Sequence, residues 1–215
     1  MAKAFGVPRH QVAVTGEPKT DAFFALPAIA ELRHQLDDYD KVIVYLPTFR
    51  DAPGPARGVP NPQACLAPLL ELQRCRAVQN ALARHRACMV VGLHPGIGPA
   101  ESATLAPPYI AAGALTPHTE HLMGTADLVI SDYSSVVIDA LLLDAPLALF
   151  SPDLEAYREL RGFPYFDYQR MFGPLICRTA DDVARIMDRA FTGTRACHPH
   201  QQRLRRLFHT HRDGQ

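Results

Sequence analysis

The stretch Ala126-Asp127-Leu128-Val129-Ile130-Ser131-Asp132-Tyr133-Ser134-Ser135-Val136-Val137-Ile138-Asp139 packs a strand, a turn and a helix start into one short segment. Leu128-Val129-Ile130 is a continuous apolar run of the kind found in strands covered on both faces. The run stops at Ser131 or Asp132. Ser134 or Ser135 then supplies a hydroxyl able to accept from an early helix N–H, as a good N-cap does. The helix predicted over 135–143 ends near Asp144, and Pro146 leads into the next apolar run, Leu147-Ala148-Leu149-Phe150. A strand-helix-strand unit of this length is the building block of a parallel α/β sheet.

The same pattern recurs on the amino-terminal side. Val42-Ile43-Val44-Tyr45-Leu46 and Met89-Val90-Val91-Gly92-Leu93 are further apolar runs, each followed by a turn signal. Helix-like segments lie between them, at about 28–37, 64–86 and 119–125, with two more at about 181–191 and 201–209. The expected fold class is α/β, a Rossmann-like parallel sheet with helices on both faces. The segment from Ala52 to Pro62 holds four prolines and two glycines. Such a segment suits neither a helix interior nor an inner strand, so a long loop is expected after the first strong strand. Ligands of open α/β sheets bind beyond the carboxyl ends of the strands, so the placement of this loop matters.

Composition narrows the function classes. Among 215 residues, 47% are hydrophobic and the formal net charge is zero. A packed core is expected, and the basic excess of a general nucleic-acid binder is missing. The five cysteines, Cys65, Cys75, Cys88, Cys177 and Cys197, are odd in number and show no C-x-x-C spacing. Neither a disulfide framework nor a structural zinc site is expected. No run approaches the roughly 18 apolar residues that span a bilayer. Met1 to Phe5 also lacks the regions of a signal peptide. The expected location is cytoplasmic.

Several strand ends carry polar residues with chemical potential. A helix start offers unpaired N–H groups and the positive end of the peptide dipoles, which suits an anion. Ser134 and Ser135 beside those groups fit a pyrophosphate, and they fit a plain N-cap equally well. Asp139 lies four residues after Ser135, one turn along the same helix face. A carboxylate there can accept from both hydroxyls of a ribose, or simply face solvent. His94, in Gly92-Leu93-His94-Pro95-Gly96, follows a strand and can serve as acid, base or phosphate donor, or be structural. Thr48 and Arg50 follow the strand that stops at Pro47. The Arg50 guanidinium matches phosphate oxygens, or pairs with neighbouring Asp51 on the surface. In the tail, Arg195, Arg203, Arg205, Arg206 and Arg212 sit among His198, His200, His209 and His211. Leu204, Leu207 and Phe208 form one candidate apolar stripe. A basic amphipathic helix of this kind docks on an anionic membrane surface or packs back onto its own domain.

Taken together, these segments resemble the CDP-glycerol glycerophosphotransferase family, whose members build teichoic acids and some capsule polymers. Gly16-Glu17-Pro18-Lys19-Thr20-Asp21 resembles the family's G-x-P-R-x-D, with lysine in the arginine position. Tyr45 to Asp51 resembles Y-x-P-T-W-R-D, with Phe49 in place of tryptophan. Leu93-His94-Pro95 matches its histidine-proline motif. The run ending at Asp139 resembles A-D-x-x-I-T-D-Y-S-S-x-x-x-D. Tyr157-Arg158 through Tyr168 resembles Y-R-x-x-R-G-x-Y-F-D-Y, and Gly173-Pro174 falls where the family has P-G-P.

The resemblance implies the C-terminal domain of a GT-B type transferase, with residues 1–25 as a connector, 26–192 as the nucleotide-binding domain and 193–215 as a basic tail. It implies CDP-glycerol or a related CDP-polyol as substrate, a polymer or lipid-linked acceptor, and no cofactor or metal. His94 is the implied catalytic or diphosphate-contacting residue. Thr48, Arg50, Asp132, Ser134, Ser135 and Asp139 are the implied donor-binding residues. The family's W-H-G-T-x-x-K motif and its acceptor-side domain are absent from these residues. The expectation is therefore a donor-binding half, inactive without the N-terminal acceptor domain: a fragment, a truncated gene product, or a subunit completed by a separate polypeptide. A peripheral contact at the inner face of the plasma membrane is also expected. Two alternatives stay open: a non-catalytic cytidine-nucleotide-binding module, and another GT-B nucleotide-sugar enzyme.

Overall fold

The computed structural model describes residues 6–13, 16–51, 61–93, 105–163, 166–193 and 197–209. Six parallel strands form one sheet: β1 (Lys41–Tyr45), β2 (Ala87–Val91), β3 (Tyr109–Ala111), β4 (Leu128–Ser131), β5 (Leu147–Phe150) and β6 (Ile176–Cys177). Their spatial order is β3-β2-β1-β4-β5-β6. The chain runs outward from β1 to β2 and β3, then crosses back to lay β4 against the other side of β1. Tyr45 is in register with Val91 on one side and Ile130 on the other. The order reverses between β1 and β4, the kind of switch point at which open α/β sheets have a crevice at the strands' carboxyl ends. The expected Rossmann-like α/β fold is the one found.

Alternation along each strand sorts the side chains into two cores. Val42, Val44, Val90, Val129 and Leu149 face one side. They are covered there by α4 (Thr119–Gly124), α5 (Val136–Ala140), α7 (Tyr168–Phe172) and α9 (Pro199–Phe208). Ile43, Tyr45, Met89, Ile130 and Phe150 face the other, under α2 (Pro62–Arg74), α3 (Arg76–Arg84) and α8 (Ala180–Thr192). Both faces are apolar because both are covered, which is why the central strands read as unbroken apolar runs. Two further helices are α1 (Leu26–His34), ahead of β1, and α6 (Leu154–Leu160), after β5.

Some boundaries differ from the sequence reading. The single helix expected over 64–86 is two, because Cys75 is extended (φ −71°, ψ 113°). The break lets Leu69 and Leu72 of α2, and Val78, Ala81 and Leu82 of α3, all reach the same core. The helix expected over 135–143 is α-helical only from Val136 to Ala140. It then tightens into bonds such as Leu142 N–H to the Asp139 carbonyl at 3.0 Å. In α9, Gln201 and Leu204 are buried and Phe208 is half-buried, while Leu207 is 64% exposed. Leu207 thus leaves the expected apolar stripe, and the helix packs back on the domain through Gln201, which bridges the Leu147 N–H (3.0 Å) and the Ala145 carbonyl (2.8 Å). The proline-rich loop lies outside the described residues except for Asn61 and Pro62. Asn61 caps α2 by accepting from Ala64 N–H at 3.2 Å. Arg195, His211 and Arg212 also lie outside the described residues.

Candidate functional site

The crevice between β1 and β4 is built from its floor upward. Ser131 ends β4 and donates its hydroxyl to the Leu46 carbonyl at 2.7 Å, while Leu46 N–H donates to the Ile130 carbonyl at 2.9 Å. These bonds tie the two strand ends together just before their loops diverge. The next residue, Asp132, is fully buried. Its Oδ1 accepts from the backbone N–H groups of Thr48 (2.8 Å) and Tyr133 (2.6 Å), and its Oδ2 accepts from Arg50 Nη1 (2.7 Å). One carboxylate thus fixes the loop after β1 to the loop after β4.

Arg50 is equally committed. Its Nε and Nη2 donate to Asp153 at 2.8 Å and 3.0 Å, a two-pronged contact that matches the guanidinium fork. The guanidinium lies 5.0 Å from the Tyr133 ring centroid and 5.5 Å from that of Tyr157. Burial alone would lower its pKa, but Asp132 and Asp153 outweigh burial and hold it above its usual value. Asp153 is held below the usual carboxylate range. Burial opposes that shift, and the bonds from Arg50 and the Tyr133 hydroxyl overcome it. Arg50 is therefore not half of a surface pair with Asp51. Asp51 is itself buried and bonds Arg161 Nε at 2.6 Å.

Three hydroxyl side chains belong to the loops that leave these two strand ends. The Thr48 Oγ1 is buried and has no hydrogen-bond partner. Ser134 Oγ accepts from Val136 N–H at 3.3 Å, a weak local cap, and Ser135 makes no side-chain cap bond. Both serines border a cavity of about 300 Å³ whose walls include Tyr133, Phe163, Tyr168 and Phe172. Tyr133 stacks on Tyr157 at 3.9 Å between centroids, and Phe163 on Tyr168 at 4.9 Å. A larger cavity of about 680 Å³ opens at the amino ends of β2 and β3, beside Tyr39, Arg86 and Tyr109. It is remote from these residues and holds none of the strand-end chemistry.

Asp139, one turn after Ser135, is 6% exposed and pairs with Lys19 Nζ at 2.9 Å. His94 lies outside the described residues. Thr48, Arg50, Asp132, Ser134 and Ser135 are thus gathered at one sheet edge, and Asp139 sits on the helix leading away from it. Sequence reasoning gave no role to Asp153, Tyr133 or Lys19. For Asp153 a signal existed, since it follows the end of a buried strand in Ser151-Pro152-Asp153. Among the described residues, no group of three or more His, Cys, Asp or Glu side chains is arranged to hold a metal ion.

The match to known sequences decides the family. The family model of the CDP-glycerol:poly(glycerophosphate) glycerophosphotransferases covers residues 1–215. This chain belongs to that family. A teichoic acid glycerol-phosphate primase of Bacillus subtilis (strain 168) is 28% identical over 165 residues, covering 74% of this chain and 38% of the primase. A teichoic acid ribitol-phosphate primase of Bacillus spizizenii (strain ATCC 23059 / NRRL B-14472 / W23) is 26% identical over 224 residues, covering 99% of this chain and 52% of the primase. A variant of the wall teichoic acid polymerase TagF, soaked with CDPG, superposes with a TM-score of 0.69 at 21% identity. The superposition covers 98% of this chain and 51% of that one, and it concerns the fold. This member of the family spans about half or less of each of these relatives.

Proposed function

We propose that this chain is the donor-binding half of a glycerophosphotransferase. In this reading it holds CDP-glycerol while an acceptor hydroxyl attacks the β-phosphorus and CMP leaves. The observation that carries the proposal is that Asp132 ties the Thr48 loop to the loop that leads into Ser134 and Ser135, with a buried threonine hydroxyl that has no hydrogen-bond partner. A buried hydroxyl without a bond is costly unless something meets it, and a phosphate oxygen would. The two serine hydroxyls lie beside the N–H groups that start α5, which suits the rest of the diphosphate. Asp139 is the candidate for the ribose hydroxyls. His94, three residues after β2 in the chain, is the candidate to steady the leaving phosphate as donor or acid.

The roles of Arg50 and Asp132 follow from their partners. With every charged prong already bonded, they frame the two loops from beneath. Transfer itself is assigned to the chain together with an acceptor-side unit. The acceptor is a polymer or a lipid-linked primer hydroxyl. The Arg203–Arg206 side of α9, exposed with Leu207, offers a peripheral contact with an anionic membrane surface. Among the described residues, no helix is long and apolar enough to cross a membrane.

The test is calorimetric titration of the purified chain with CDP-glycerol, CMP and a UDP-sugar. Binding of the first two, with CDP-glycerol the tighter, is the expected result. Preference for the uridine nucleotide would overturn the assignment. Replacing Ser134 and Ser135 together by alanine should weaken CDP-glycerol by about 1–3 kcal/mol while leaving cytidine nearly unchanged. Equal loss for both ligands would show that the serines hold no phosphate.

A further inference from the structure

The segment ahead of the sheet reaches the candidate site through one side chain. Pro18–Phe24 forms a 3-10 turn after Gly16, whose φ of +83° suits glycine. Thr20 fixes the turn by donating both its hydroxyl (2.7 Å) and its N–H (2.9 Å) to the Glu17 carbonyl. Phe23 is buried in the same core as Val137 and Ala140 of α5. The turn is thus packed against the domain, and from it Lys19 extends to Asp139 at 2.9 Å, with Glu17 3.3 Å from the same ammonium.

This pair differs from an ordinary surface ion pair because its two sides differ in exposure. Lys19 is 43% exposed in its side chain and Asp139 only 9%. Burial pushes the Asp139 carboxyl above its usual value, and the bond from Lys19 offsets part of that rise. Glu17 adds a repelling charge, and His209, whose ring bonds the Ile138 carbonyl at 2.7 Å, adds an opposing one. A buried carboxylate that loses its cation is left uncompensated. Lys19 bonds Oδ2 of this carboxylate.

We propose that Lys19 is the positioning residue of the donor site, fixing the Asp139 carboxylate as the acceptor for the ribose hydroxyls of the nucleotide. The inference rests on the donor-binding reading above. It adds to that reading the claim that ribose recognition is completed from outside the sheet, by the segment that precedes it. Lys19 itself need not touch the nucleotide. Its effect is to keep Asp139 charged and aimed, so that two hydroxyls can donate to it.

The experiment compares CMP with 2′,3′-dideoxy-CMP on the full chain, in the wild type, Lys19→Gln and Lys19→Arg, with thermal melts confirming that each is folded. The wild type should favour CMP by about 10-fold or more, the worth of one or two hydrogen bonds to a charged acceptor. Lys19→Gln should lose most of that preference while keeping its affinity for the dideoxy analogue. Lys19→Arg, which keeps the charge and can reach the same oxygen, should retain the preference. Asp139→Asn should lose it too, and adding Lys19→Gln to Asp139→Asn should cost nothing more, because the two act as a unit. If Lys19→Gln weakens both ligands equally, or leaves the preference intact, the positioning role is wrong. If the wild type binds neither ligand, the donor-binding reading itself has failed. If the wild type binds both equally, Asp139 is not the ribose acceptor and the inference falls with it.

Discussion

Arg50 and Asp132 meet at 2.7 Å with their side chains 5% and 0% exposed, and each holds a different loop of the crevice. The pair is a structural tie as much as a charge pair. Replacing Asp132 by asparagine leaves the shape but strands a buried guanidinium beside a single remaining carboxylate. The expected loss is about 3–5 kcal/mol, the usual cost of breaking a buried pair from one side. Urea denaturation of wild type and Asp132→Asn measures it directly. A loss below about 1 kcal/mol would show that the network tolerates one charge less.

Thr48→Val separates stability from binding. The valine keeps the shape of the side chain and removes a buried hydroxyl that has no partner. Folding stability should be unchanged or rise by up to about 1 kcal/mol, because no bond is lost and an unmet polar group is removed. Affinity for CDP-glycerol should fall by about 10-fold if the hydroxyl is reserved for the donor. Denaturation and calorimetry on the same variant read the two effects independently.

The Arg50–Asp153 contact predicts an acid limb in stability. Asp153 is depressed in the folded protein, since Arg50 and Tyr133 outweigh burial. A depressed carboxyl contributes stability above its unfolded pKa, near about 4, and that contribution is lost as the pH falls through the folded value. Asp153→Asn should therefore be less stable than wild type near neutral pH, and the two should converge on acidification. Urea midpoints collected from about pH 7 down to about pH 2 show whether the curves meet. Parallel curves would remove Asp153 from the acid limb.

The thiols give a further check on packing. Cys65, Cys88, Cys177 and Cys197 are buried and Cys75 is half-exposed at the α2–α3 break. Burial pushes the Cys88 thiol up to about 11 and the Cys177 thiol up to about 12. A thiol reagent at neutral pH should label one cysteine quickly in the native protein, Cys75, and all five after denaturation. Mass spectrometry of the labelled peptides identifies the site. Fast labelling of Cys88 would contradict the packing of β2.

The sequence announced the sheet where the strands are buried on both faces. β1, β2, β4 and β5 are continuous apolar runs, and no other element type explains such runs bounded by turns. β3 and β6 carry no such mark, because Tyr109-Ile110-Ala111 and Ile176-Cys177 become strands only by pairing with β2 and β5. The Cys75 break was equally hidden, since no proline or glycine sits there. Near the candidate site, positions at strand ends were readable, so spacing put Thr48 after β1 and Ser134 and Ser135 after β4. Partners were not readable. Arg50 finds Asp153 across 103 residues of chain, and nothing local to Arg50 announces that carboxylate. The Lys19–Asp139 bond was hidden for the same reason. Its two halves belong to motifs that spacing treats as separate.

The two lateral strands of the sheet are brief, three residues in β3 and two in β6. A wholly parallel sheet with Val- and Ile-rich inner strands would be a template for recruiting other chains if those strands ran along its border. Among the described residues, the apolar strands are interior and the border strands are the two short ones. Strand-to-strand recruitment between copies of this chain would therefore have to start from these few border residues rather than from the apolar inner strands.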